Sequence, residues 1–174
     1  VQSGRLAKLI TNLVTLSRLD EEDPFPVRTE FSLSDVLWEI SEPFVSLAQA
    51  KGKTYTQDIA DGLTVTGDRT AIQQMISILL DNALKYSPDG GSISLTARRS
   101  GKKAEITVSN TTDGVRNIDA ARLFVRFYRA DESHSNTVSG TGIGLSIAKA
   151  TAEAHGGKIS AKQTGNTITF QVTL

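Results

Sequence analysis

The sequence GTGIGLSIAK, residues 140–149, sets three alternating glycines directly before a run of helix-forming residues. Backbone N–H groups in the first turn of a helix have no intrahelical partner and carry partial positive charge, so they attract phosphate groups. Glycine lacks a Cβ and readily adopts positive φ, which lets a phosphate approach the backbone closely. The stretch therefore predicts a polyphosphate-binding turn before a helix that runs from Leu145 to about His155. A plain strand-to-helix connection is the alternative that one glycine-rich stretch leaves open.

The composition limits the kinds of partner and compartment. The 174 residues carry 19 lysines and arginines against 19 aspartates and glutamates, so we expect no nucleic-acid partner and no direct membrane contact. The absence of cysteine excludes a disulfide framework, a thiolate metal site and a catalytic thiol, and favours a reducing, cytoplasmic location. No apolar run approaches the roughly 20 residues of a membrane span. Because the chain begins at Val1 rather than at a methionine, we expect it to be a piece of a longer protein.

The N-terminal segment has the pattern of a helix that pairs with another helix. Its apolar residues step by three and four, at Leu6, Leu9, Leu13 and Leu16. The following DEEDPFP, residues 20–26, combines four acids with two prolines, which ends a helix and marks a linker. We therefore divide the chain into a helical segment 1–20, a linker 21–26 and a domain 27–174.

The domain 27–174 alternates helical and strand patterns. Ser32 and Asp68 are the predicted N-caps of two amphipathic helices. Strands are predicted near 54–59 and 63–66, and two hairpins turn at SGKK (100–103) and TGNT (164–167). Together these elements predict an α/β two-layer sandwich, with a mixed five-stranded sheet covered on one face by three helices. The polar segment between Asn110 and Gly144, with one short helical piece, has the length of a functional loop.

A second candidate motif, LLDNALKYSPDG at residues 79–90, lies at the end of the strongest predicted helix. Asn82, Lys85 and Tyr86 share one helical face, because residues three and four apart are neighbours on a helix. The amide oxygen of Asn82 suits Mg²⁺, Lys85 can meet a phosphate, and Tyr86 can lie against a base or sugar. Taken singly, each residue is equally typical of a solvated or packed helix end.

Five stretches in order carry a resemblance to a known family. They are DNALKYS (81–87), SNTTDGV (109–115), LFVRFYRAD (123–131), GTGIGLSIAK (140–149) and AEAHGGKI (152–159). They resemble the N box, the first glycine box, the F box, the second glycine box and its following helix end in the ATP-binding catalytic domain of sensor histidine kinases. The first twenty residues resemble the end of the dimerisation and phosphoacceptor domain. The resemblance implies the ATPase fold shared with DNA gyrase, and ATP with Mg²⁺ as ligands.

The resemblance also implies roles for individual residues. Asn82 matches the asparagine that holds Mg²⁺, Lys85 and Tyr86 match its phosphate-side and nucleotide-side neighbours, and Arg129 matches the F-box arginine near the γ-phosphate. The implied catalytic residues are Asn82, Lys85 and Arg129. The implied nucleotide-binding residues add Tyr86, Asn110, Gly114, Gly140, Thr141, Gly142, Gly144 and Leu145. Residues between Asn110 and Gly140 become the ATP lid, with Phe124 and Phe127 expected to anchor it.

The sequence departs from the family pattern at several positions. The first glycine box usually reads Asp-x-Gly-x-Gly, and its aspartate accepts a hydrogen bond from the adenine amino group; here the aligned residues are Asn110, Thr112 and Gly114. Asparagine still offers an acceptor oxygen, so we expect weaker binding with adenine selectivity retained. Ile78 stands where gyrase-like ATPases carry a water-activating glutamate, which argues against hydrolysis as the purpose. Val125 replaces a commonly charged F-box residue without an expected effect.

The resemblance implies a protein histidine kinase fragment of two-component signal transduction, from the soluble part of a membrane sensor. It would transfer the γ-phosphate of ATP to a histidine upstream of Val1, on the phosphoacceptor helix of the same homodimeric kinase, from which a response regulator receives it. Neither His134 nor His155 has the phosphoacceptor motif around it, so we expect no autophosphorylation of this chain alone. Two alternatives stay open, an anti-sigma-type serine kinase and a degenerate nucleotide-binding scaffold without transfer.

Overall fold

The computed structural model describes residues 2–113, 119–128 and 142–174, with side chains described from Ile10 onward. Within these ranges the elements are, in order, α1 Gln2–Leu19, β1 Thr29–Ser32, α2 Leu33–Ala50, β2 Thr54–Ile59, β3 Thr64–Gly67, α3 Arg69–Tyr86, β4 Ser92–Ser100, β5 Lys103–Thr111, a 3₁₀ turn Arg122–Phe124, α4 Gly144–Ala154, β6 Lys158–Thr164 and β7 Thr167–Thr173. None of these described helices combines the length and apolar character needed to cross a bilayer.

Five strands form one mixed sheet in the order β2-β4-β5-β7-β6. Strand β2 runs parallel to β4, and the other neighbouring pairs are antiparallel. This arrangement confirms the predicted α/β fold and both predicted hairpins, β4–β5 and β6–β7. The four-residue strand β1 was not predicted; it pairs with β3 in a separate two-stranded sheet.

The core lies on the face of the sheet that α2, α3 and α4 cover. Alternate side chains of a strand point to opposite faces, and in β5 the inward set Ala104, Ile106 and Val108 is buried. Helix α3 contributes a continuous buried stripe against them: Ala71, Ile72, Met75, Ile76, Leu79, Leu80, Ala83 and Leu84. The next inward residue of β5 is Asn110, so the buried face of the central strands ends in a polar group.

Both predicted N-caps are formed. The Ser32 hydroxyl accepts a hydrogen bond from the Asp35 N–H at 3.2 Å, and the Asp68 carboxylate accepts one from the Ala71 N–H at 2.9 Å. Each cap satisfies an N–H group that the first turn of its helix leaves without a partner. Helix α2 continues through Pro43 to Ala50.

Helix α1 contacts the rest of the chain through its C-terminal end. Leu16 is buried against Ile143 and Ile147, at the start of α4, whereas Leu13 is 47% exposed. Asp20 lies just beyond the helix, and its carboxylate accepts two hydrogen bonds from Arg126, at 2.6 and 3.4 Å. These hydrogen bonds lower the pKa of Asp20 below its ordinary value. The segment after the 3₁₀ turn is therefore joined directly to the end of α1.

The linker is held against the domain by an aromatic contact. Phe25 is 3% exposed, and its ring stacks on His155 with centroids 4.9 Å apart. Arg18 lies over the Phe25 ring and donates a hydrogen bond to the Pro24 carbonyl at 2.9 Å. His155 donates from Nδ1 to the Thr151 carbonyl at 2.7 Å and accepts from the Asp68 N–H at Nε2, 3.0 Å away. The imidazole thus connects the end of α4, the start of α3 and the linker.

Candidate functional site

The last two turns of α3 form one side of the candidate site. Asn82 and Lys85 are half-buried and Tyr86 is 39% exposed, all on one helix as predicted. The Asn82 side chain makes no hydrogen bond to any other described residue, so its amide oxygen is available to a ligand. The Lys85 ammonium lies 4.9 Å from the centroid of the Tyr86 ring. The turn thus presents an amide, a cation and an aromatic ring together.

Asn110 forms the inner end of the site. It is 2% exposed, near the end of β5, in register with Ile93 of β4 and Ile168 of β7. Its Nδ2 donates a hydrogen bond to the Thr111 carbonyl at 2.8 Å, while its Oδ1 is buried with no partner among the described residues. A buried acceptor without a partner is costly to the folded state. Asn110 therefore presents an acceptor that a ligand N–H group can satisfy.

The start of α4 forms the other end of the site. The helix begins at Gly144 after Ile143, which gives no side-chain cap, so the first N–H groups of the helix are left to another acceptor. A Cβ at Gly144 would lie 3.2 Å from Cγ2 of Ile78, one turn before Asn82 on α3. Gly142 has φ +69°, and a Cβ there would lie 2.9 Å from the Phe127 carbonyl carbon. At both glycines the chain's own atoms come close to where a Cβ would stand, so the structure explains these glycines by packing, and phosphate binding at this helix start stays a prediction.

Helix α3 connects the two ends. Ile78 meets the start of α4, and nine residues later Ser87 meets the end of β5, where its hydroxyl lies 3.4 Å from that of Thr111. At 1.5 Å per residue the two contacts are about 14 Å apart along the helix, so the site is elongated. Asn82, Lys85 and Tyr86 lie between them.

Several predicted site residues lie outside the described residues. They are Gly114, Arg129, Gly140 and Thr141, and the same holds for His134. Gly142, Gly144 and Leu145 are described; Leu145 is half-buried and packs against the main core. The predicted arginine near the γ-phosphate and the first half of the glycine box therefore stay predictions.

The expectation for the lid anchors is half right. Phe124 packs edge-on against Phe170 of β7, with ring centroids 6.3 Å apart. Phe127, in contrast, is 66% exposed, and it meets the glycine turn through its backbone, whose N–H donates to the Gly142 carbonyl at 2.9 Å. Phe127 has φ +65°, which turns its side chain away from the core. The backbone, rather than the ring, joins this segment to the glycine turn.

Sequence reasoning missed a buried lysine beneath the site. Lys53 is 8% exposed, and its Nζ donates hydrogen bonds to the Leu84 carbonyl at 2.8 Å and to the Ser87 carbonyl. Burial lowers the pKa of Lys53, and the nearby Lys51 adds to the effect, whereas Asp89 and Asp113 oppose it. The available signal was the strand alternation: the inward set of β2 begins one residue before the strand, at Lys53.

The donor set fits a nucleotide and permits a magnesium ion. Asn110 offers a buried acceptor for an exocyclic amino group, and the start of α4 offers N–H groups for phosphates. Among the described residues no cluster of three or more histidine, cysteine, aspartate or glutamate side chains could hold a metal alone. A site with one amide oxygen, that of Asn82, suits an ion that keeps its waters and shares phosphate oxygens.

Comparisons with known proteins identify the family of this chain. Residues 67–174 match the profile of the family described as histidine kinase-, DNA gyrase B- and HSP90-like ATPase. The chain is 36% identical over 170 residues to the probable sensor protein PcoS of Escherichia coli, covering 98% of this chain and 36% of PcoS. It is 33% identical over 174 residues to the sensor-like histidine kinase SenX3 of Mycolicibacterium smegmatis, covering 98% of this chain and 45% of SenX3. The chain spans less than half the length of these relatives.

A solved structure gives the same result for the fold. The nucleotide-free catalytic domain of histidine kinase ThkA superposes with a TM-score of 0.74 at 25% identity. The match covers 85% of this chain and 95% of that domain.

Proposed function

Because the chain belongs to the family of histidine kinase-, DNA gyrase B- and HSP90-like ATPases, we propose that it is the catalytic part of a sensor histidine kinase. In this proposal residues 27–174 are the ATP-binding catalytic domain, and residues 1–20 are the end of the dimerisation and phosphoacceptor domain. The protein acts in two-component signal transduction, in the soluble cytoplasmic portion of a membrane sensor. The family match implies ATP as the nucleotide; the transfer reaction, Mg²⁺ and the residue roles are our proposal.

The observation that carries the proposal is the buried Oδ1 of Asn110, which has no partner among the described residues. Its Nδ2 is already engaged with the Thr111 carbonyl, so the side chain is oriented to accept rather than to donate. The adenine amino group is a donor, whereas guanine carries a carbonyl oxygen at the same ring position. Asn110 therefore favours ATP over GTP, although it lacks the charge of the aspartate that is usual in this family.

The phosphates of ATP would lie between α3 and the start of α4. N–H groups of Gly144 and Leu145 and the ammonium of Lys85 would neutralise phosphate charge there, and the amide oxygen of Asn82 would hold Mg²⁺. Bound Mg·ATP supplies the phosphoryl group. Catalysis by this chain then consists of positioning and charge neutralisation, because an imidazole nucleophile needs no protein base to attack. Arg129 remains the proposed arginine for the γ-phosphate.

The proposed partners are the phosphoacceptor helix of the same homodimeric kinase and a response regulator. Full-length ShkA, which shares the fold with a TM-score of 0.84 at 23% identity, was solved in complex with AMPPNP. Histidine kinase ThkA was solved in complex with the response regulator protein TrrA. Both complexes support the proposal by analogy.

The test is phosphoryl transfer in trans. Incubated with radiolabelled ATP, Mg²⁺ and the upstream phosphoacceptor segment of its parent protein, the chain should label a histidine of that segment, giving an acid-labile, alkali-stable product. The chain alone should stay unlabelled on His134 and His155, and Asn82→Ala should stop the transfer. Label on serine or threonine would favour an anti-sigma-type kinase, and no transfer at saturating ATP would favour a nucleotide-binding scaffold.

A further inference from the structure

Lys53 is a buried cation placed at the C-terminal end of α3. Four carbonyl groups at the end of a helix have no intrahelical partner. In α3 the Ala83 carbonyl accepts from the Ser87 N–H at 3.0 Å, and Lys53 Nζ takes the Leu84 carbonyl together with the Ser87 carbonyl just beyond the helix. The ammonium also faces the negative end of the helix dipole. Lys53 therefore satisfies the free carbonyl groups at the end of the helical turn that carries Lys85 and Tyr86.

Core stability alone does not require a lysine at this position. Removing an ammonium group from water is unfavourable, and hydrogen bonds to two carbonyls offset that loss only in part. An apolar side chain of similar length, such as methionine, would fill the same volume without a buried charge. What the lysine adds is a fixed distance between the start of β2 and two specified carbonyl groups of α3.

A short series of contacts connects this restrained end of α3 to Asn110. Ser87, whose carbonyl accepts from Lys53, has its hydroxyl 3.4 Å from the Thr111 hydroxyl. The Thr111 hydroxyl also accepts from the Ser92 N–H at 2.9 Å, and the Thr111 carbonyl accepts from Nδ2 of Asn110 at 2.8 Å. The series therefore runs from Lys53 through Ser87 and Thr111 to the amide whose oxygen is the buried acceptor.

We infer that Lys53 is a positioning residue for nucleotide selection: it holds the last turn of α3 against the end of β5 and so keeps Oδ1 of Asn110 aimed at the ligand. This inference rests on the proposed ATP binding. Lys53 acts through Ser87 and Thr111 and does not itself touch the nucleotide. Its loss should therefore reduce the discrimination between ATP and GTP as well as the affinity.

The experiment compares nucleotide affinities by titration calorimetry in the wild type and four variants. Lys53→Met removes the ammonium, and Lys51→Met removes an exposed lysine two residues away as a matched control. Lys53→Arg restores a cationic donor. Val172→Ala, a core change at the far end of β7 from Ile168, serves as a control for general destabilisation. We expect Lys53→Met to weaken ATP binding at least tenfold and to reduce the ATP:GTP preference at least threefold.

The controls distinguish a positioning effect of Lys53 on Asn110 from a general loss of stability. Lys51→Met should bind both nucleotides as the wild type does, Val172→Ala should lower the thermal midpoint without changing the ATP:GTP ratio, and Lys53→Arg should recover most of that ratio. Should Lys53→Met not fold, Lys53→Gln, which keeps a donor without charge, takes its place with the same expectation. An unchanged ATP:GTP ratio in folded Lys53→Met or Lys53→Gln, or an equal fall of that ratio in Val172→Ala, overturns the inference while ATP binding stands. A wild-type chain that binds no ATP overturns the proposed function and the inference with it.

Discussion

Replacing Asn110 by aspartate exchanges the Nδ2 amino group for a charged oxygen, and we expect this to lower the stability of the nucleotide-free domain. In the wild type Nδ2 donates to the Thr111 carbonyl at 2.8 Å, whereas in Asn110→Asp an oxygen faces that carbonyl. The residue is 2% exposed, so the carboxylate is also desolvated. Leaving a buried polar group unsatisfied costs about 1–3 kcal/mol, which for a chain of this size corresponds to a fall of about 2–12 °C in thermal midpoint.

This loss of stability should depend on pH. Burial and the facing carbonyl raise the pKa of the introduced carboxyl above its unfolded value, so the native state holds its proton more tightly than the unfolded state does. The stability of the variant should then fall as pH rises through the carboxyl titration. We expect the midpoint of apo Asn110→Asp to lie further below that of the wild type at pH 8 than at pH 5. Differential scanning calorimetry at the two pH values measures the difference.

The affinity for ATP should increase in Asn110→Asp, although the stability of the nucleotide-free domain falls. A charged acceptor makes a hydrogen bond roughly twice as strong as a neutral one, a gain of about 1 kcal/mol or about fivefold in affinity for ATP. Titration calorimetry at pH 8 should therefore show tighter ATP binding by Asn110→Asp. Weaker binding, or an apo midpoint equal to that of the wild type at pH 8, would refute the assignment of Oδ1 as the ligand acceptor.

Three further predictions concern other parts of the molecule. Asn82→Ala should abolish Mg²⁺-dependent nucleotide binding in calorimetry while leaving the apo midpoint nearly unchanged, because Asn82 makes no hydrogen bond within the described chain and alanine favours the helix; a large fall in midpoint would instead assign it to packing. Burial raises the pKa of Tyr55 to about 12, so the native state keeps its proton to higher pH than the unfolded state does. Stability should therefore decline by about 2 kcal/mol between pH 10 and 12. Urea unfolding of Tyr55→Phe should lack that decline, and an identical pH profile would contradict the argument. Gly142→Ala should destabilise more than Gly101→Ala, since both have positive φ but only Gly142 has backbone within 3 Å of the added Cβ; equal midpoints in thermal unfolding would show that the close approach is unimportant.

Much of the fold follows from local pattern. Helix α3 was predicted because its apolar stripe keeps the helical period and Asp68 supplies a cap, and both features are present. The two hairpins were predicted because glycine-containing turns separate alternating strands, which pair with their nearest neighbours in sequence. Strand β1 was missed because its four residues pair with β3, more than thirty residues away.

Local sequence pattern also predicts part of the candidate site. Asn82, Lys85 and Tyr86 are neighbours by helical spacing alone, so their common face could be read from the sequence. The contacts of Lys53 with the end of α3 join residues more than thirty positions apart, which no local pattern reports. Phe127 was misassigned because its aromatic character indicates burial, whereas its positive φ directs the ring to solvent.

The stacking of Phe25 on His155 changes where the two parts of the chain can pivot. Pro24 and Phe25 are buried, and both contact Arg18 at the end of α1, so this helix and the second half of the linker are held together. The residues between them, Glu21, Glu22 and Asp23, are exposed. Rotation of α1 must also separate Asp20 from Arg126, which lies within the segment proposed as the ATP lid. A rotation of the N-terminal helix would therefore be transmitted directly to the proposed nucleotide site.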